Sequence, residues 1–145
     1  MTAIIIKTVN YLTEIQNIKN IRKQVFQIEQ GINEELEFDG LDEKAIHLLA
    51  YLENQPVGTA RIRKLDETTA KIERLSVLPT ATKRGVGKQL MIKAIDIITQ
   101  QNYHKIIIHS QEYIKSLHQK LGFEQIGNTF EEANIPHVKM IKKIV

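Results

Sequence analysis

The chain has no cysteine and no tryptophan, only three prolines, and four each of tyrosine and phenylalanine in 145 residues. Without cysteine there is no disulfide scaffold, no thiolate nucleophile and no thiolate metal site, and the composition fits a reducing compartment. Long apolar runs are also missing. The opening Ile4-Ile5-Ile6 stretch is too short for a signal peptide or a spanning helix and reads as a buried strand. The expectation is a cytoplasmic protein with no membrane partner. Charge of one sign is lacking too: 20 Lys and Arg against 17 Asp and Glu give +3, with both signs interleaved. That pattern has no basic stripe of the kind nucleic-acid surfaces use. There is no repeat and no Pro/Gly/Ser linker, so residues 1–145 are expected to form a single domain large enough for its own core.

What is present is a succession of strand and helix patterns. Ala3–Thr8 reads as the first strand. Thr13 with Gln16 resembles a capping box, and Ile15, Ile18, Ile21, Val25 and Phe26 follow at helical spacing. Residues 33–38 read as a short helix or an acidic surface loop. Three strand patterns come next, 45–52, 57–65 and 70–78, separated by turn residues at Glu53-Asn54-Gln55-Pro56 and Asp66-Glu67-Thr68-Thr69. A helix is expected at 86–100, with Leu90, Met91, Ala94, Ile95 and Ile98 as its apolar stripe. A strand at 105–109, a short helix at 113–121 ending on Gly122, and strands at 123–127 and 137–144 complete the chain. The order β-α-(α)-β-β-β-α-β-α-β-β predicts an α+β fold. Its sheet is mixed but mostly antiparallel, of about six to seven strands, with helices on both faces.

The densest chemistry lies at Arg74–Lys88. A strand ends at Pro79, then Thr82-Lys83-Arg84-Gly85-Val86-Gly87-Lys88 opens a helix. Two glycines let backbone amides approach a ligand, the helix start adds its positive dipole end, and Lys83, Arg84 and Lys88 add full charges. This is a cradle for a pyrophosphate. Two glycines fall short of the three in a dinucleotide fingerprint, and the triphosphate-loop pattern is absent.

This strand and loop resemble the central motif of the GNAT acetyltransferase superfamily, a strand ending near Val-x-Pro followed by [Arg/Gln]-x-x-Gly-x-[Gly/Ala]. Leu117-His118-Gln119-Lys120-Leu121-Gly122-Phe123 resembles its Phe-Tyr-x-x-x-Gly-Phe segment. Val25–Ile32, Lys105–Gln111 and Phe130–His137 resemble segments of its bacterial YjcF/ElaA-like branch. Three positions depart from the pattern: Thr82 where Arg or Gln is usual, His118 where Tyr is usual, and Asn134 where Gly is usual.

The resemblance implies a GNAT fold and acetyl-CoA as acyl donor, with Leu75, Ser76 and Val77 along the pantetheine arm. Thr82, Lys83, Arg84, Gly85, Val86, Gly87 and Lys88 would lie at the pyrophosphate, and a backbone N–H near Val77 would face the developing oxyanion. It also implies that Glu29, Gln30, Glu132 and His137 face the acceptor. For the base, strand alternation places Glu73, Leu75 and Val77 on one face. A carboxylate on that apolar face is expected to have a raised pKa, suited to general-base work. The competing reading is a salt bridge to Arg61 or Arg63. For the acid, His118 stands at the Tyr position, with Tyr113 as substitute. His109, His118 and His137 lack metal-ligand spacing, and no metal is expected. The acidic residues Glu34, Glu35, Glu37, Asp39, Asp42 and Glu43 are expected to be solvated.

The function these residues predict is acetyl transfer from acetyl-CoA to a primary amine of a small molecule, by direct attack through a tetrahedral intermediate. A protein N-terminal or lysine acetyltransferase is the alternative within the same chemistry, and a non-catalytic CoA-binding sensor the alternative outside it. Pairing through sheet edges or C-terminal strands leaves a homodimer open.

Overall fold

The computed structural model describes residues 3–32 and 39–144. The element expected at 33–38, with Glu34, Glu35 and Glu37, lies outside them. The chain runs β1 (Ile4–Val9), α1 (Tyr11–Arg22), a π-helical extension (Lys23–Glu29), β2 (Ile46–Leu52), β3 (Gln55–Lys64) and β4 (Thr69–Val77). A 3-10 turn (Pro79–Ala81), α2 (Val86–Gln100), β5 (Lys105–Gln111), a second 3-10 turn (Glu112–Ile114), α3 (Lys115–Lys120), β6 (Glu124–Glu132) and β7 (Ile135–Lys143) follow. One seven-stranded sheet has the order β1-β2-β3-β4-β5-β7-β6. Every pairing is antiparallel except β4 with β5.

Two cores flank this sheet. Leu90, Met91, Ala94 and Ile98 of α2 pack on Leu48, Ala60, Ile62, Ile72, Ile106 and Met140. On the other face Tyr11, Ile18 and Ile21 of α1 pack on Leu49. Helix α1 starts one turn earlier than the Thr13 cap predicts, because Asn10 is the cap and its side chain accepts a hydrogen bond from the Thr13 amide at 3.2 Å. Its end widens into π geometry, with the Gln30 amide donating to Val25 O at 3.1 Å. Such local widening is frequent at functional sites.

Two departures from the expected pattern shape the site. In β4, Arg74 takes a left-handed φ of +56°. There Thr59 pairs Ser76 while Arg61 pairs Glu73, so one residue of β3, Ala60, faces two of β4, Arg74 and Leu75. This is a β-bulge, which reverses the alternation beyond it. Glu73 therefore shares the α1 side with its partner Arg61, whereas Leu75 and Val77 pack on the α2-side core. The expectation that Glu73, Leu75 and Val77 share one apolar face is corrected.

The second departure is a fork. The parallel pairing of β4 and β5 covers only Thr69–Lys105, Ala70–Ile106 and Lys71–Ile107. Both strands run on, β4 to Val77 and β5 to Gln111, without pairing each other. β6 also continues past the expected end at Gly127, through a register break, to Glu132. Ala133 and Asn134, both at positive φ, then turn the chain into β7. Asn tolerates that conformation in a two-residue hairpin, so Asn134 serves without glycine.

Candidate active site

The donor end is built by the strand-to-helix turn. Gly85 caps α2 at φ +80°, a conformation costly for residues with a Cβ. A Cβ at Gly85 would meet nothing within 4 Å, and one at Gly87 would meet only Val77 Cγ2, at 3.7 Å. The space in front of both glycines is therefore open to a ligand. The first amides of a helix have no carbonyl partner within it, which leaves the α2 start as a donor set. Arg84 is different: its amide donates to Ala81 O at 3.2 Å, so it is already engaged. Lys83, Arg84 and Lys88 are exposed around the turn. The Thr82 hydroxyl donates to Pro79 O at 3.2 Å, so it braces the turn.

The fork continues from this turn. The Leu78 amide donates to Val57 O of β3 at 2.8 Å. Successive amides of a strand point to opposite sides, so the Val77 N–H faces the open side toward β5. An extended chain placed between the strands would find backbone groups of β4 beyond Ile72 and of β5 beyond Ile107. Ser76 is buried beside them, its hydroxyl returned to Arg74 O at 3.0 Å.

On the α1 side, Arg61 is wholly buried and acts as a hub. It donates to Asp39 at 2.9 Å, to Asp42 at 3.1 Å and to Glu73 at 2.7 Å. Glu73 also accepts from Arg63 Nε at 2.7 Å and pairs with Lys71 at 3.0 Å. Its side chain is only 8% exposed. Burial raises its pKa, but the Arg63 hydrogen bond and the Arg61 and Lys71 charges outweigh that and bring it from 4.5 to about 2. The expected raised pKa is overturned: the salt-bridge reading holds, and a carboxylate this acidic is a weak proton acceptor near neutral pH. Asp42 is likewise buried rather than solvated, whereas Asp39 is exposed as expected but ion-paired. Arg22 donates to Asp42 at 2.7 Å, and Arg74 pairs with Asp39 at 3.2 Å. Burial raises both carboxyl pKa values, yet these arginines hold them below the usual range.

His118 lies on α3 and is 3% exposed. The Ser110 hydroxyl spends its proton on Gln111 O at 3.0 Å, so at the 2.9 Å contact His118 Nδ1 is the donor. Burial lowers its pKa from 6.5 to about 4. At neutral pH the ring is uncharged, its one N–H is given to Ser110, and Nε2 holds a lone pair. That N–H is therefore committed within the fold. Tyr113, 73% exposed, sits just past the end of β5.

The acceptor candidates converge where β5, β6 and β7 end. His109 Nδ1 lies 3.0 Å from Glu132 Oε1, and His137 Nε2 lies 3.6 Å from Glu132 Oε2. Phe130 stacks on His137 and meets His109 edge-on. Gln30 and Gln111 exchange two hydrogen bonds, at 3.2 and 2.9 Å. Of the Glu29 side chain nothing is described. Among the described residues no three His, Asp or Glu side chains converge as metal ligands. Gln111, Lys71 and the contacts of Arg61 with Asp39 and Asp42 carry no local spacing that marks them; only the folded chain brings them in.

A forked mixed sheet with a glycine turn and helix start beside the fork offers an extended ligand a slot between two strands and its anionic end a set of amides. Residues 13–144 match the model of the acetyltransferase (GNAT) domain, and the chain belongs to the GNAT family of acetyl-CoA-dependent acyltransferases. It is 37% identical over 142 residues to the uncharacterized protein YyaT of Bacillus subtilis, covering 96% of this chain and 95% of that one. It is 30% identical to the uncharacterized N-acetyltransferase YjcF of the same organism, over 84% and 87% of the two chains. Escherichia coli ElaA, as a crystal structure, superposes with a TM-score of 0.86 at 24% identity over 97% and 99%. An aminoglycoside 6'-N-acetyltransferase complexed with coenzyme A superposes with a TM-score of 0.78 at 13% identity over 97% of each chain. Among the described residues no helix is long and apolar enough to cross a membrane.

Proposed function

We propose that residues 1–145 act as one domain that transfers an acetyl group from acetyl-CoA to a primary amine of a small molecule. The observation that carries this is the fork between β4 and β5, open beside the glycine turn at Gly85 and Gly87. The pantetheine arm fits between the strands, against the β4 backbone at Leu75, Ser76 and Val77. The pyrophosphate fits the α2 start at Gly85–Lys88, with Lys83 and Arg84 alongside. The Val77 N–H faces the thioester oxygen, where one such donor lowers the barrier by about 3–4 kcal/mol.

The acceptor enters from the α1 side, where Gln30, Gln111, Glu132, His109 and His137 form a polar floor. The exposed Glu132 carboxylate at that floor favours a cationic amine. Attack by the unprotonated amine forms the C–N bond, the C–S bond breaks, and coenzyme A leaves as the thiol. With the His118 N–H committed to Ser110, we assign the return of a proton to sulfur to Tyr113, with water as the other source.

The test is coenzyme A release from acetyl-CoA across amino acids, polyamines, amino sugars, aminoglycosides and peptides. Turnover on one small-amine class and not on peptides is expected. Turnover on peptides alone would move the acceptor to proteins. Acetyl-CoA binding with silence throughout would make the domain a CoA sensor.

A further inference from the structure

We infer that His109, oriented by Glu132, is the general base that takes the proton from the acceptor ammonium. This rests on the acetyl-CoA and amine reading above.

Hydrogen-bond bookkeeping fixes the rings. An ionised carboxylate only accepts, and the Glu132 carboxyl is held below its usual range first by the His109 hydrogen bond, against an opposing effect of burial. His109 must therefore present Nδ1–H to Glu132 Oε1 at 3.0 Å, so Nε2 is the nitrogen that carries the lone pair in the neutral ring. His137 likewise presents Nδ1–H to Ile135 O at 2.7 Å, and its Nε2 lies 3.6 Å from the other carboxylate oxygen. One carboxylate thus orients a histidine whose second nitrogen is free to accept, as a base needs. Edge contact with Phe130 at 5.2 Å holds the ring from the side.

Position completes the argument. β5 separates from β4 after Ile107, so His109 is in the part of β5 that forms the fork wall. It shares a face with Lys71 and Gln111, by the pairing of Lys71 with Ile107 and the two-residue period of the strand. That is the side on which Gln30 meets Gln111, the acceptor side. The ring is 27% exposed, unlike the buried His118 and His137. The charged and titratable groups around it are Glu132 of β6, His137 and Lys139 of β7, and Lys71 of β4, whose charge acts on Glu132. Glu73, by contrast, is committed to three cations.

The step balances. The acceptor R–NH3+ gives one proton to His109 Nε2. The free amine attacks the thioester carbonyl, C–N forms and C–S breaks. The second proton lost from nitrogen offsets the one gained by the thiolate, and His109 releases its proton to water.

Wild type, His109→Gln and Glu132→Gln are compared in two measurements. Calorimetry with acetyl-CoA should give Kd values within about threefold of one another, since neither residue lies at the glycine turn. The pH profile of kcat/KM is then followed with the best amine of the panel. His109→Gln should lose about 10²–10³-fold at pH 7. Its acid limb should move up to the ionisation of the acceptor amine itself, so that the deficit shrinks at high pH. Glu132→Gln, which keeps the ring, should show a smaller loss with the limb displaced the same way. A merely structural role leaves the limb where it is, and an unmoved limb or full activity in His109→Gln overturns the base. Wild type that fails to bind acetyl-CoA overturns the donor reading instead. Binding with silence on every amine overturns the amine reading and the base with it.

Discussion

Glu73→Gln separates an anchored anion from a catalytic base. The substitution keeps size and removes one negative charge from a site whose side chain is 8% exposed. Arg61, Arg63 and Lys71 all lie within 3.0 Å of this carboxylate. The fall in its pKa from 4.5 to about 2, at about 1.4 kcal/mol per unit of pKa, corresponds to roughly 3 kcal/mol of folding stability. The folded pKa is depressed, so this stability is fully present above pH 4.5 and is lost as the pH falls toward 2. About 2 kcal/mol of it is gone by pH 3. Removing one partner of a buried ion pair costs about 3–5 kcal/mol, and Arg61 keeps Asp39 and Asp42, which places the expected loss at the lower end.

Urea unfolding of both proteins from pH 7 to pH 3 reads this directly. The gap between wild type and Glu73→Gln is expected to be about 3 kcal/mol at pH 7 and to narrow below pH 4.5. The acid limb of kcat/KM, measured where both are folded, should stay in place. A gap that does not change with pH would refute the ion-pair account. Loss of the acid limb in Glu73→Gln would restore this residue as the base.

Two further substitutions test other parts of the site. His118 stays neutral when folded, its pKa lowered by burial from 6.5 to about 4, so wild-type stability should fall by about 3 kcal/mol as the pH drops from 6.5 to 4. His118→Gln should flatten that window and leave the Glu73 window below it; an unchanged slope between pH 6.5 and 4 would show that the histidine protonates while folded. A Cβ at Gly58 would lie 2.9 Å from Val86 Cγ1, 3.0 Å from Leu90 Cδ1 and 3.2 Å from the Ser76 carbonyl. Gly58→Ala should therefore cost about 1–3 kcal/mol, and by pushing back the start of α2 it should also weaken acetyl-CoA binding several-fold in calorimetry. An unshifted melting temperature with unchanged Kd would mean that α2 yields at no cost.

The contrast between the two ends of the site shows what a linear chain reveals. The glycine turn is local: Thr82–Lys88 carries its own punctuation, and the α2 stripe of Leu90, Met91, Ala94 and Ile98 announces which face goes inward. Those elements are legible because every interaction that defines them falls within a few residues. The charge state of Glu73 depends instead on Arg61 and Arg63, 12 and 10 residues away, and on a bulge at Arg74. No propensity marks an arginine for left-handed backbone. Local alternation makes Glu73 an isolated carboxylate among apolar neighbours, with a raised pKa. The actual register puts it opposite Arg61, and the shift changes sign. His109 is the converse case. Alone on β5 it has no spacing that marks it as a base; it gains an orienting carboxylate only because β7 inserts between β5 and β6 and the hairpin at Ala133-Asn134 folds Glu132 back over it. A strand carboxylate becomes a clamped anion or an orienting partner according to how many cations its register delivers. Glu73 receives three and is neutralised, whereas Glu132 has two imidazoles and a more distant Lys71. Proton transfer therefore follows from β5 and β6 rather than from β4.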